Sequence, residues 1–196
     1  MAPAASSPAA TAGRILDIAE RLVQTRGYNG FSYADISSEL RIRNASVHYH
    51  FPSKVDLGKR LVARYRETFL AALEGLEKES ADAARRLRSY VGIWTRVLRD
   101  RDRMCLCGMM AADIATLPRS VRTEIKRFFD DNEAWLVRVL LAGQKAGTLA
   151  LAATPEIEAR LLTMGLEGGM LVARSYGEIR RFEEIAERLL AGVGVC

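Results

Sequence analysis

Between Phe31 and Lys54 the chain reads FSYADISSELRIRNASVHYHFPSK, and no other stretch limits the fold as strongly. Ser32 is an N-cap residue, able to accept from an orphan N–H of a first helical turn. Asp35 follows three residues on, giving a shortened capping box, and Phe31 and Ile36 occupy the two positions of a hydrophobic staple. Ile36 and Leu40 make one apolar stripe, after which Arg41-Ile42-Arg43 turns the chain. Asn44 or Ser46 can cap a second helix of barely two turns. Phe51-Pro52 stops it, because proline disfavours helical geometry in the residue before it. Ser53, with Asp56 three residues on, opens a third helix.

A helix as short as the one around Asn44–His50 has no stability of its own in water, so its neighbours must hold it. Asn44, Ser46, His48, Tyr49 and His50 are mostly hydrogen-bonding side chains, and Val47 and Phe51 are left to anchor it. A short polar helix between two capped ones is the helix-turn-helix pattern, whose second helix enters the major groove of DNA.

Charge agrees. Gly13–Arg66 holds 10 Lys and Arg against 5 Asp and Glu, whereas Glu67–Cys196 holds 19 of each, so the net +5 resides in the first third. Such an end attracts a polyanion. The 49% apolar content is ample for a core within 196 residues. No run approaches the roughly 18 apolar residues of a membrane span. The first 13 residues, MAPAASSPAATAG, lack the basic and apolar regions of a signal peptide, and residues 1–12 read as a disordered tail of Ala, Ser and Pro. Three cysteines argue against a secreted disulfide framework, so the expected location is the cytoplasm.

Apolar residues at helical spacing from Ile15 to Val23 predict a first helix of about four turns, ended by Gly27. Tyr28-Asn29-Gly30 is a turn. A long helix is expected from Ser53 to Glu79, with Leu57, Leu61, Tyr65, Phe69 and Leu73 as its buried ridge and Lys54 in a first turn that favours phosphate. Beyond Ala81 there is no strand pattern. Helices are expected near 82–100, 103–115, 119–146, 155–175 and 179–193, with breaks at Pro118, Gly147-Thr148, Thr154-Pro155 and Tyr176-Gly177. Thr154 caps one of them with Pro155 at its first position.

The run Gly13–Tyr65 resembles the N-terminal DNA-binding domain of TetR-family transcriptional regulators. The matching residues are the turn Arg41-Ile42-Arg43, then Ala45-Ser46-Val47-His48-Tyr49-His50-Phe51, then Ser53-Lys54. Two positions depart from the family pattern: its turn glycine is Arg41 here, and its usual tyrosine is His48. A non-glycine residue in a left-handed turn costs about 1 kcal/mol. The resemblance implies an all-α chain of about nine helices, with a helix-turn-helix domain over 13–60 and a helical ligand-binding and dimerisation domain over 61–196. It implies a repressor, not an enzyme, released from a palindromic double-stranded DNA operator by a small-molecule effector. Asn44, Ser46, His48 and Tyr49 would contact base edges and nearby backbone. Ser32, Tyr33, His50 and Lys54 would contact phosphates, and Arg41 and Arg43 could serve either role. The family pairs its last two long helices into a homodimer. Gly165, Gly168, Gly169 and Ala173, with Leu161, Leu162, Leu166, Leu171, Ile179, Phe182, Ile185, Ala186 and Leu189, resemble that element, although packing within one chain is the plain alternative.

The family also encloses an effector pocket, which the aromatic and methionine set Tyr90, Trp94, Phe128, Phe129, Trp135, Met164 and Met170 would help to line, where it is not simply core. Trp94, Cys107, Met110, Phe128, Trp135 and Glu167 are the candidate liners; pockets are mostly apolar with a few polar groups. In Met104–Met110, Cys105 and Cys107 are either buried core residues or thiols that sense an oxidant or electrophile, their pKa lowered by a helix N-terminus and by Arg101 and Arg103. No metal or cofactor is expected. Zinc wants four ligands, and His48 and His50, the only histidines, point to different faces of the reading helix. An enzyme with a cysteine nucleophile lacks a nearby base. A helical module for acidic protein partners would leave the short polar helix unexplained.

Overall fold

The computed structural model describes residues 7–100 and 103–195. Nine α-helices and two 3-10 turns account for the regular structure of the described residues, with no strand among them. Residues 1–6 and Arg101 lie outside the described residues.

The first unit takes in the chain up to Tyr65 together with Leu106–Ile125. Helix α1 spans Pro8–Arg26, so it starts inside the stretch whose Ala, Ser and Pro content suggested a disordered tail. Ser7 accepts from Ala10 N–H and Pro8 stands at the first helical position, where a missing N–H costs nothing. Alanine, the best helix former, then carries the helix to Ile15, Leu16, Ala19, Leu22 and Val23, all buried. Gly27 ends it at φ 81°, a region open to glycine. After the 3-10 turn Tyr28–Gly30 come α2 (Tyr33–Leu40), α3 (Asn44–His50) and the start of α4 (Lys54–Glu79).

Helix α6 covers only Leu106–Ala112 and is followed by a 3-10 turn, Ile114–Thr116, where the periodicity suggested one helix over 103–115. Tertiary bonds shorten it. The Asp113 carboxylate accepts from Tyr28 N–H at 3.1 Å and Asn29 N–H at 3.4 Å, and Thr116 Oγ1 accepts from the Asn29 amide at 2.9 Å.

The second unit comprises 66–105 and 126–196. It holds α5 (Ala83–Arg99), α8 (Pro155–Tyr176), α9 (Ile179–Gly192) and the larger parts of α4 and α7 (Arg119–Lys145). Asp82 caps α5 by accepting from Ala84 N–H, and Thr154 caps α8 by accepting from Ile157 N–H. The α8–α9 hairpin turns at Gly177. Gly165 lets the two helices close up: a Cβ there would lie 2.7 Å from Leu189. The core of this unit is aromatic. Phe69 meets Phe128, Trp94 and Tyr90 edge-on at centroid distances of 5.1, 6.0 and 6.4 Å.

Candidate nucleic-acid interface

The turn before α3 is a Schellman motif. Ile42 N–H donates to the Ser37 carbonyl at 3.0 Å and Arg41 N–H to that of Ser38 at 3.2 Å. This geometry needs a left-handed residue, and Arg41 takes it, at φ 54° and ψ 43°. It is the one non-glycine residue with positive φ among those described. The capping box of α2 forms: the Asp35 carboxylate accepts from both Ser32 N–H and the Ser32 hydroxyl at 2.7 Å. These bonds hold the Asp35 carboxyl below its usual range. The cap of α4 forms likewise, with Asp56 Oδ2 accepting from Ser53 N–H at 3.1 Å and the Ser53 hydroxyl accepting from Asp56 N–H at 3.2 Å.

Between these fixed ends α3 begins differently from the expected pattern. Its N-cap is Arg43, with no side-chain cap, so Asn44 and Ser46 stand at the first and third helical positions rather than capping. Their side chains are thereby left available for an external partner. Val47 is buried, and Asn44, Ala45, His48 and Tyr49 are exposed, Tyr49 to 78%. Ser46 and His50 are half-buried, while Ser32, Arg41 and Arg43 are exposed. Ala45 stands exposed between two expected contacts, and its methyl group announces no chemistry in a sequence; apolar contact with a thymine methyl is the role open to it.

Two residues expected at phosphates, Tyr33 and the half-buried Lys54, make bonds within the chain. Tyr33 is buried, and its hydroxyl donates to the Phe51 carbonyl at 2.9 Å. Burial, with the Asp56 and Tyr28 charges adding to it, pushes its pKa up to about 12. Its ring packs against His48 at 4.6 Å between centroids. Lys54 Nζ donates to the Phe31 carbonyl and lies 4.3 Å from the Phe31 ring centroid and 4.9 Å from that of Tyr28. Burial draws its pKa down. The ammonium gains cation–π contact and a carbonyl acceptor there, which explains why it folds inward rather than towards solvent. Several arginines of the basic third are also paired: Arg21 with Glu39, Arg26 with Asp35 at 3.5 Å, and Arg64 with Asp17 at 2.7 Å and Glu20 at 2.9 Å. The exposed cations nearest the reading helix in sequence are Arg41 and Arg43.

The expected pocket liners divide. Cys107 and Met110 belong to the first unit and are fully buried. Trp94, Phe128, Trp135 and Glu167 belong to the second; Trp94, Trp135 and Glu167 lie beside Tyr90, and Phe128 is joined to it through Phe69. The Tyr90 ring stacks on Trp135 at 5.5 Å and meets Trp94 edge-on at 5.9 Å. Its hydroxyl donates to Asn132 Oδ1 at 3.1 Å, and burial raises its pKa. Asn132 and Thr163 extend this line of polar groups, although a lone Asn and Thr in helical runs carry no signal in the sequence. Cys105 is 1% exposed and Cys107 0%, so both are core thiols; burial shields them from the solvent contact that thiol sensing needs. Met164, grouped with core candidates, is instead 65% exposed. Among the described residues no group of three or more His, Cys, Asp or Glu is gathered to hold a metal ion, and no helix is long and apolar enough to cross a membrane.

Comparison with known proteins places this geometry. Residues 15–61 match the model of bacterial regulatory proteins of the tetR family, and residues 83–189 match that of a tetracyclin repressor-like C-terminal domain. A TetR-family transcriptional regulator from Agrobacterium tumefaciens superposes with a TM-score of 0.92 at 38% identity, covering 95% of this chain and 99% of that one. A TetR regulator from Legionella pneumophila gives 0.84 at 33% identity, over 92% and 95% of the two chains. The transcriptional repressor DhaR of Mycobacterium sp. (strain GP1) is 26% identical over 147 residues, which is 74% of this chain and 73% of that protein.

Proposed function

The chain belongs to the TetR family of bacterial regulatory proteins and is a helix-turn-helix transcriptional regulator; from this premise we propose a homodimeric cytoplasmic repressor that a small-molecule effector releases from a palindromic operator. The observation that carries the proposal is the presentation of α3. A seven-residue helix is fixed at both ends, by the Arg41 turn and by the Ser53 cap, and offers Asn44, Ala45, His48 and Tyr49 to solvent. Side chains so placed read base edges in a major groove, with Ser46 and His50 at the margins and with Arg41, Arg43 and Ser32 on the flanking backbone. Lys54 and Tyr33 act here by positioning α3 and its neighbours.

The dimer is supported by an apolar stripe that the chain leaves uncovered. Ile157, Leu161, Met164, Leu171 and Val172 follow one another along α8 at 52, 54, 65, 57 and 51% exposure, and Ile185 of α9 is 47% exposed. Stripes of this kind mark interaction surfaces. Of the residues expected to pair two chains, Leu162, Leu166, Phe182 and Ala186 are buried within one, and so pack the hairpin itself. Two-fold symmetry would give two reading helices matched to two half-sites. Effector binding in the second unit would bias their separation, with α4, whose residues are shared between both units, as the carrier.

The test is selection of tight-binding sites from random duplex DNA. A palindromic motif with half-sites about one helical turn apart supports the proposal. Salt-sensitive binding with no motif overturns it.

A further inference from the structure

The Tyr90 cluster contains polar atoms that the chain does not satisfy. Trp135 is 2% exposed and its indole N–H has no acceptor. Trp94 is equally buried, and its indole N–H lies beside the Tyr90 hydroxyl without a hydrogen bond of normal geometry. Glu167 Oε1 is buried with no donor. Among the described residues, the other groups that face the Glu167 carboxyl are the Cys105 thiol, which gives it a weak hydrogen bond, and the Tyr90 hydroxyl. Among the described residues no basic side chain offsets the burial, and its pKa is pushed up to about 7. Leaving a buried donor or acceptor unpaired costs on the order of 1–3 kcal/mol each, more for a charged group. Three such atoms around one tyrosine are too costly to be an accident of packing, and each such group calls for a partner.

Chemistry narrows that partner. A carboxylate takes a donor, best a cation. Indole N–H groups take an acceptor. The packed rings of Phe69, Tyr90, Trp94 and Phe128 favour an apolar body and stabilise a cation through their faces. Thr163 lies one turn before Glu167 on α8 and belongs to the Tyr90–Asn132 line, which fixes the side of α8 from which the carboxyl is approached. We propose that this cluster is the effector site and that its ligand is a small, largely apolar organic amine, its protonated nitrogen donating to Glu167 Oε1 and an oxygen of the ligand accepting from the Trp135 indole. This deepens the reading of the chain as an effector-released regulator and rests on it.

Both tryptophans of the chain lie in the cluster, so intrinsic fluorescence reports on it without a label. The experiment titrates the full-length protein with 2-amino-1-phenylethanol, with phenethylamine, which lacks the oxygen, and with 1-phenylethane-1,2-diol, which replaces the ammonium by a neutral hydroxyl. Saturable change in fluorescence is expected for the amino alcohol, with binding at least tenfold weaker for the diol and several-fold weaker for phenethylamine. Glu167→Gln should weaken the amino alcohol at least tenfold and leave the diol nearly unchanged. Trp135→Phe should remove the advantage of the amino alcohol over phenethylamine, with Trp94 as the remaining reporter. Equal binding of amino alcohol and diol, or no response to any amine at millimolar concentration, overturns the proposal, and the first comparison needs no variant. Failure here with a palindromic operator in hand refutes the amine and leaves the regulator intact. Amine binding without any DNA motif refutes the regulator and leaves the site.

Discussion

The two units treat their polar groups in opposite ways. In the first, the Ser32–Asp35 and Ser53–Asp56 boxes, the Schellman turn at Arg41, the Tyr33–Phe51 bond and the inward Lys54 ammonium answer donors with acceptors from the chain itself. Gln24 Oε1 is the orphan there among the described residues. In the second, Trp94, Trp135 and Glu167 keep polar atoms unmatched beneath an aromatic core. A unit that satisfies itself has a fixed shape to present. A unit with unmatched groups in its interior holds a free-energy difference that a partner can release, and an equilibrium shifts only by such differential affinity.

Substitutions test that contrast. The largest effect is expected from Phe69→Ala, which removes the ring joining Tyr90, Trp94 and Phe128 and should cost about 3–5 kcal/mol in chemical denaturation. A loss under 1 kcal/mol would mean that the aromatic core is loosely packed. Next comes Glu167. Its carboxyl holds a proton in the folded state up to about pH 7, whereas an unfolded glutamate releases it near 4.5. The folded state therefore binds more protons between those values, and this group's contribution falls as pH rises through the window, by roughly 3 kcal/mol in all. Glu167→Gln should remove that slope and stabilise the protein at pH 8, while leaving it unchanged at pH 4. Asp35 has the opposite sign: its lowered pKa stabilises above the ordinary aspartate value and is lost as pH falls through the lowered one.

Smaller effects belong to the first unit. Ser53→Ala should cost about 1 kcal/mol by loss of a cap. Arg41→Gly should raise stability by about 1 kcal/mol, because the left-handed turn no longer strains a Cβ. The same change removes a cation beside the reading helix, so the salt dependence of DNA binding should weaken; a melting curve and a salt titration read the two consequences separately. Tyr49→Ala should alter stability by less than about 0.5 kcal/mol, since the side chain is 78% exposed, yet change the motif recovered by site selection. An unchanged motif would remove Tyr49 from base reading.

The reading head was legible in the sequence because caps, stops and turn residues are local signals. Ser32, Ser53, Gly27 and Thr154 act where the residue order placed them, and the long helix expected over 53–79 is α4, Lys54–Glu79. What escaped depends on contacts distant in the chain. Asp113 reaching Tyr28 and Asn29 cuts α6 short, and no spacing within 103–115 foretells it. The inward turn of Lys54 depends on a carbonyl 23 residues away. Periodicity found the apolar faces of α8 and α9 but could not say which residues pack within the hairpin and which stay open. The six expected pocket liners share residue type rather than any spacing signal. Four of them share the Tyr90 cluster, whereas Asn132 and Thr163, which complete its polar line, have no type-based signal.

One consequence follows from the anchoring of α3. Val47 alone is buried in that helix, and the turn, the cap and the Tyr33 bond lie on its borders. Asn44, Ala45 and Tyr49 thus carry almost none of the folding free energy, whereas His48 packs on the Tyr33 ring and meets the Pro52 carbonyl. Under the proposed reading of DNA by α3, change at these three positions would redirect the protein to a new operator without first unfolding it, leaving descendants of this chain free to diverge in their DNA targets while inheriting the same body.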